Sequence, residues 1–471
     1  MSGKAESKGV ETMLGDPRKA LVAFSIPIAI ALFVQQVNVL VDSFWVTSLG
    51  GDAMAAIGLL YPIYAILIGI GNGLGIGASA AIARKIGGGR RGEASRIAGQ
   101  SLVLAAIVSV AATPFLLAAE DPLLRLIGAG ATLETSKAYA FPLFLSTALI
   151  LMSGVVSGML RGEGAMRRSM QIQVAAAAIN LVLDPIFIYT LGWGIAGAAW
   201  VTSISMAASV AMGLYWYCIR KSTFVAIARR DLRVSAAHMR EILSVGLPQS
   251  LEFSVMNAFN VGYNFCVIMV GSTDLMGLYT VSWRILMLLM IPAQAMGGAI
   301  VSACSAEFGM KRYDMIRRAY LYATRASVAV LFALAAATAL VAGYIAEAFT
   351  APSGMTDLRD NMTVMLRILL ILAPFFAPVY VGSSLLQALN RSKVALASSA
   401  LRNGVLTVLF FSAAYLAGTE TSLWWAMVAG EVFGGALMGY WAYVVLMDTA
   451  RKDGRTLSGR SKRGRRRAIG K

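Results

Sequence analysis

Residues 221–239, KSTFVAIARRDLRVSAAHM, are the longest polar stretch inside this chain. On both sides of it, runs of about 20 largely apolar residues recur, the length a helix needs to cross a bilayer. Six precede it, at 21–48, 53–82, 97–119, 138–160, 170–191 and 194–219. Six follow, at 241–270, 275–305, 319–346, 363–388, 395–417 and 422–448. Composition agrees with that reading. Of 471 residues, 58% are hydrophobic and 14% charged, and mean hydropathy is +0.70. A soluble domain carries roughly 45–50% apolar and about 25% charged residues. Lipid offers no partner to backbone N–H and C=O groups, so each run is expected to be a helix. The runs are too long and too evenly apolar for barrel strands.

The formal charge of +17 would suit nucleic acid, but its location argues against that partner. Lys and Arg gather at the N-terminus, in every second loop and in the tail. The clusters include Arg84, Lys85, Arg90, Arg91 and Arg96 between spans 2 and 3, and Arg391, Lys393 and Arg402 between spans 10 and 11. Only Arg125, Lys137, Arg359 and Arg367 fall on the other side, and Arg284 inside a span. This is the bias of cytoplasmic loops. It places both ends of a multi-pass cell-membrane protein in the cytoplasm, with the tail RKDGRTLSGRSKRGRRRAIGK (451–471) held near anionic headgroups. Met1–Lys19 is polar, has no apolar core and reads as neither signal peptide nor folded element. Cys218, Cys266 and Cys304 lie in apolar runs, which excludes a secreted disulfide scaffold. One histidine, His238, and scattered acids argue against a metal-dependent enzyme. No Gly-x-x-x-x-Gly-Lys-Ser/Thr loop is present for ATP. No enzyme activity and no cofactor are expected.

The halves echo one another. Ser25-Ile26-Pro27 answers Gly246-Leu247-Pro248, Gly87 before Arg90-Arg91 answers Gly309 before Lys311-Arg312, and Ser157-Gly158-Met159-Leu160 answers Ser383-Ser384-Leu385-Leu386. A duplicated six-helix unit enters the membrane the same way twice and gives two parallel lobes. The expected fold is therefore all-α: twelve transmembrane helices in two pseudo-symmetric lobes around a central cavity. The expected parts are an N-terminal segment (1–19), a first lobe (20–220), an inter-lobe linker (221–239), a second lobe (240–448) and a basic tail (449–471). Two lobes about a cavity predict transport by alternating access, driven by an ion gradient or by the substrate's own gradient.

An ionisable side chain at mid-bilayer costs about 2.5–3.5 kcal/mol or more, which makes each one a candidate site. The acids are Asp42, Asp184, Glu252 and Glu431. In span 1, Asn38 and Asp42 are four residues apart and share a helix face, and Gln35 lies one turn earlier. Asn180 and Asp184 repeat the arrangement in span 5, with Pro185 beside the acid, and Thr202 offers a hydroxyl in span 6. Like charges in a poor dielectric resist joint ionisation, so two carboxylates, a carboxamide and a hydroxyl would suit a proton or a hard cation such as Na⁺. Glu252 is a candidate second-lobe ion or substrate site, with Asn257, Asn260 or Arg284 as a structural partner. Glu431 has no acidic neighbour. Arg284, the one cation read as clearly buried, is a candidate to pair an acid or to touch substrate. Gly69-Ile70-Gly71-Asn72-Gly73-Leu74-Gly75-Ile76-Gly77 lies within an apolar span and reads as close helix packing.

With these residues the chain resembles the MATE (multidrug and toxic compound extrusion) family, over about residues 15–450. The marks are Pro27, Asp42, Gly50-Gly51-Asp52, Arg84-Lys85-Ile86-Gly87, Leu160-Arg161-Gly162-Glu163-Gly164, Asn180 with Asp184, and Thr202. The first-lobe set is similar to the prokaryotic DinF-like and archaeal branch. The resemblance implies that Asp42, Asn180, Asp184 and Thr202 carry H⁺ or Na⁺. It also implies exchange of that ion for small organic, often cationic or amphipathic compounds. From the acid cluster and the proline of span 1, Pro27 is expected to be the hinge where that span bends. Span 10 has no acid to join Glu252, which leaves coupling to the first lobe. The alternative is a flippase for lipid-linked precursors, whose cavity should be rich in cations. The partners expected are small organic substrates and membrane lipids, with no nucleic acid, and the protein is expected to be a monomer.

Overall fold

The structure, a computed structural model, describes residues 2–271, 273–351 and 358–454. The tail from 455 onward, and the lipid contact expected of it, lie outside the described residues. Among them are helices and turns and no strand. Spans 1–3 are Pro17–Thr47, Gly51–Gly87 and Arg91–Ala118. Span 4 is Leu133–Leu145 with Thr147–Gly162, bent by 48°. Spans 5–7 are Met166–Thr190, Gly194–Ile219 and Ala236–Val270. Span 8 is Thr273–Leu289 with Ile291–Gly309, bent by 46°. Span 9 is Tyr313–Leu340, and span 10 is Arg359–Leu370 with Ala373–Ala388, bent by 40°. Spans 11 and 12 are Ser392–Ala417 and Glu420–Lys452.

The breaks have local causes. Pro292 and Pro374 follow the bends of spans 8 and 10 and withhold a helical N–H. In span 4 the Thr147 hydroxyl takes the Phe144 carbonyl at 2.7 Å. The two halves repeat these devices. Spans 4 and 10 bend at matching places, and spans 5 and 11 end in matching π-turns, Ile186–Thr190 and Ala413–Ala417. Large apolar side chains such as Val110, Phe115, Phe332 and Leu416 stand outward, where only lipid suits them.

The lobes meet at one end only. A single apolar core joins Leu21, Ile28, Ala78 and Ile82 of the first lobe to Ala299, Ala303, Leu385 and Leu446 of the second, at the end carrying both described termini. At the other end each lobe has its own core, around Leu60, Leu124 and Phe144 or around Leu366, Phe410 and Trp424. Span 2 shows how the gap arises. Glycines two apart point to opposite sides of a helix. Gly71 and Gly75 face span 4, while Gly69, Gly73 and Gly77 face span 7. A Cβ at Gly77 would sit 2.4 Å from the Ile242 carbonyl oxygen, so only glycine permits this approach. Earlier on span 2, Met54, Gly58, Tyr61 and Pro62 are exposed. The lobes therefore diverge into a cleft that opens away from the termini.

Two expectations change. Ser2–Leu14 is a helix, not an unstructured end. Val10, Met13 and Leu14 fall on one face; Val10 and Met13 are buried in the shared core, and Leu14 is half-buried against it. The stretch expected as linker, 221–239, is fastened to the first lobe. Gln100 Nε2 donates to the Asp231 and Arg233 carbonyls at 2.8 Å each, and its Oε1 accepts from the Ser235 N–H at 2.8 Å. Arg91 donates to the Phe224 carbonyl at 2.8 Å and stacks over that ring.

Candidate functional site

Spans 1 and 5 pack side by side and bring their acids together. Asn38 and Asp42 lie one turn apart on span 1, and Asn38 Nδ2 donates to Asp42 Oδ2 at 2.9 Å. From span 5, Asn180 and Asp184 are both 2% exposed. The Asn180 carboxamide lies between the two carboxylates, and its Nδ2 donates to Asp42 Oδ1 at 2.8 Å, Asp42 Oδ2 at 3.1 Å and Asp184 Oδ2 at 3.1 Å. Asn38 Oδ1 is buried and without a hydrogen-bond partner among the described residues. The Asp42 and Asp184 carboxyl groups also touch each other. No lysine or arginine side chain pairs with either of them among the described residues.

Magnitudes show what this geometry demands. Two unit negative charges about 4 Å apart repel by about 4 kcal/mol at an effective dielectric near 20. A hydrogen bond to a charged group returns about 1.5–3 kcal/mol. Carboxamides alone therefore leave the pair barely compensated, and one cation among these oxygens reverses the sign of the electrostatics.

The other expected residues are less central. Thr202 donates to the Ala198 carbonyl at 3.0 Å and makes no hydrogen bond to the carboxylates. Gln35 is exposed one turn before Asn38. Span 1 is helical without a break through the buried Pro27. Two phenols with no mark in the sequence, Tyr64 and Tyr139, are half-buried within electrostatic range of the acids.

The second lobe overturns two assignments. Arg402, read as a loop residue, stands in the middle of span 11 and is 5% exposed. Its Nη1 is 3.4 Å from Glu431 Oε2 and its Nη2 is 3.5 Å from Asn403 Oδ1. Arg284, read as clearly buried, is exposed on span 8 and pairs with no acid among the described residues. Glu252 is held instead by Ser383, whose hydroxyl donates at 3.2 and 3.3 Å, with Arg402 as its neighbouring charge. Gln387 continues the chain, donating to Ser383 Oγ at 3.2 Å and to the Gln249 carboxamide. The expected bounds 395–417 already enclosed Arg402, which was the signal available.

At the closed end one acid ties the lobes. Glu241, opening span 7, meets Arg84 at 3.4 Å and Lys85 at 3.2 Å, both from the last turn of span 2. Sequence gave no sign of this pairing, because Arg84 and Lys85 read equally well as topology charges.

Twelve spans in two lobes around a one-sided cleft, with buried polar clusters inside the membrane-spanning helices, define a membrane transporter. The chain belongs to the MatE family, whose model matches residues 27–186 and again 248–411, once per lobe and starting at Pro27 and Pro248. It is similar to the multidrug export protein MepA of Staphylococcus haemolyticus (strain JCSC1435), 25% identical over 423 residues, 88% of this chain and 91% of that one. A crystal structure of MATE in complex with MaL6 superposes with a TM-score of 0.91 at 32% identity, over 94% of this chain and 99% of that one. A MOP superfamily transporter from Pyrococcus furiosus Vc1, whose reversed binding-pocket polarity suggests a different function, gives 0.90 at 32% identity and the same coverage.

Proposed function

We propose that the protein is a cation-coupled antiporter of the cell membrane. It exports organic, often cationic or amphipathic compounds by alternating access, with H⁺ or Na⁺ exchanged at Asp42, Asn180 and Asp184 and assisted by Asn38. The observation that supports this reading best is the pair of carboxylates from two spans with no fixed cation beside them. Asn180 suits a site that fills and empties. Its Nδ2 satisfies the carboxylates, and Asn38 Oδ1, buried without a partner among the described residues, is placed to add a neutral oxygen ligand to a hard cation. The cleft opens away from the termini, which the positive loops place in the cytoplasm, so this conformation faces outward. Ion entry on that side neutralises the pair, span 1 repacks around Pro27 with Thr202 nearby, substrate leaves outward, and the neutral cluster permits return. A lipid-linked flippase is less well supported, since the cleft-side site is acidic. Arg284, exposed on span 8, stays a candidate substrate contact.

The test is efflux from proteoliposomes with Na⁺ and proton gradients imposed separately. Export should follow one of them in the wild type and lose that dependence in Asp42→Asn. An Asp42→Asn variant that exports normally and keeps its ion dependence would sink the proposal.

A further inference from the structure

We infer that Arg402 is a tethered cation occupying the place an exchangeable ion would otherwise take in the second lobe, so that its removal uncovers a latent cation site. This deepens the proposed function, on which it rests, by explaining why only one lobe exchanges an ion.

Three observations converge on it. The first is charge. Inside the second lobe, Glu252 and Glu431 face one buried guanidinium, whereas the first-lobe acids face carboxamides and each other, with no lysine or arginine paired to them among the described residues. A buried charge is tolerated when paired and hydrogen-bonded, and Arg402 meets that condition with Glu431 at 3.4 Å and Asn403 at 3.5 Å.

The second is fit. Gly434, one turn beyond Glu431 on span 12, presents bare backbone to the arginine stem. A Cβ there would lie 2.2 Å from Arg402 Cγ and 2.3 Å from Cδ. Span 12 thus leaves a groove that the long side chain fills, and the cation is fixed by packing as well as by charge.

The third is surroundings. Arg402 and Glu431 line an internal cavity with Asn260, Asn403, Met256 and Tyr380. Arginine Nε remains without a hydrogen-bond partner in it. Shortening the side chain would join its volume to that cavity, leaving the Glu431 carboxylate, two carboxamides and a phenol around a space able to take a small hydrated cation, with Glu252 on Ser383 as the nearby second acid. That oxygen-rich set matches the first-lobe site in kind.

The experiment counts cations on the purified full chain, with radioactive Na⁺ at neutral pH and, in Na⁺-free medium, by proton uptake from alkaline to mildly acidic pH. Arg402→Ala should bind one cation more than the wild type, and Arg402→Lys should match the wild type. Glu431→Gln keeps the arginine beside Glu252 and should also match it. This milder variant carries the test if Arg402→Ala does not fold. A folded Arg402→Ala with the wild-type count, or a Glu431→Gln that loses a cation, overturns the inference. Failure of first-lobe coupling shows separately, as an Asp42→Asn that keeps the full count.

Discussion

The first lobe holds Asp42 and Asp184 against Asn38 and Asn180, while the second holds Glu431 against Arg402 and Glu252 against Ser383. Counted from Pro27 and Pro248, the position of Asp42 corresponds to Tyr263. The Tyr263 hydroxyl donates to the Asn403 carbonyl at 3.3 Å and accepts from Thr407 at 3.4 Å. One duplicated scaffold thus carries a bare acid pair on one side, and on the other a neutral phenol beside an internally compensated pair. Intramembrane acids are not equivalent as evidence. An acid with a fixed countercharge is already satisfied, and only one without it has reason to exchange an ion.

The sharpest way to break this contrast is to remove one charge from each lobe. Arg402→Leu strands Glu431 in the interior and should cost about 3–5 kcal/mol of stability, read as a lower unfolding temperature in detergent. Restoring neutrality with Arg402→Leu/Glu431→Gln should recover most of it. In the first lobe the sign reverses. Asp184→Asn relieves a like-charge contact and, without Na⁺ and at alkaline pH, should raise the unfolding temperature by about 2 °C, while abolishing ion-dependent efflux. If both substitutions destabilise equally, the lobes do not differ as described.

The gap between the lobes can be probed next. Gly77→Ala places a methyl where the Ile242 carbonyl already lies, so the closed end must loosen. Spin labels across that end should show a longer inter-lobe distance, in contrast to Gly58→Ala, whose Cβ meets nothing within 4 Å. Unchanged distances in Gly77→Ala would mean that this glycine row does not set the closure.

Much of this was legible in the chain. Span count, duplication and the Asn38–Asp42 and Asn180–Asp184 faces follow from spacing, because a helix fixes which residues share a side. What escaped depends on contacts between distant segments. Arg402 read as a loop charge because a basic cluster, Arg391 and Lys393, stands just before it, and its acid lies on another span. Ser2–Leu14 read as unstructured because three apolar residues cannot hold a helix by themselves; the shared core supplies the rest. Tyr64 and Tyr139 carry no sign of their place beside the acids, since an aromatic in an apolar run looks like any other.

The smallest expected effect concerns Glu241, which joins the lobes without belonging to either polar cluster. It meets Arg84 and Lys85 across the closed end, but Lys85 also pairs with Glu93 at 2.7 Å within the first lobe. Glu241→Gln therefore leaves Lys85 satisfied and loosens chiefly Arg84. Partly exposed pairs of this kind are worth about 1 kcal/mol or less. The population facing outward should fall by a factor of up to about five, since 1.4 kcal/mol corresponds to tenfold. Because exposed pairs are screened, the difference between Glu241→Gln and wild type should shrink at high salt. The Gly77→Ala effect, being steric, should not. Labelling of a cysteine placed at Gly58 by a membrane-impermeant thiol reagent reads the outward population in both, and salt dependence then separates the electrostatic part of the closure from the packed part.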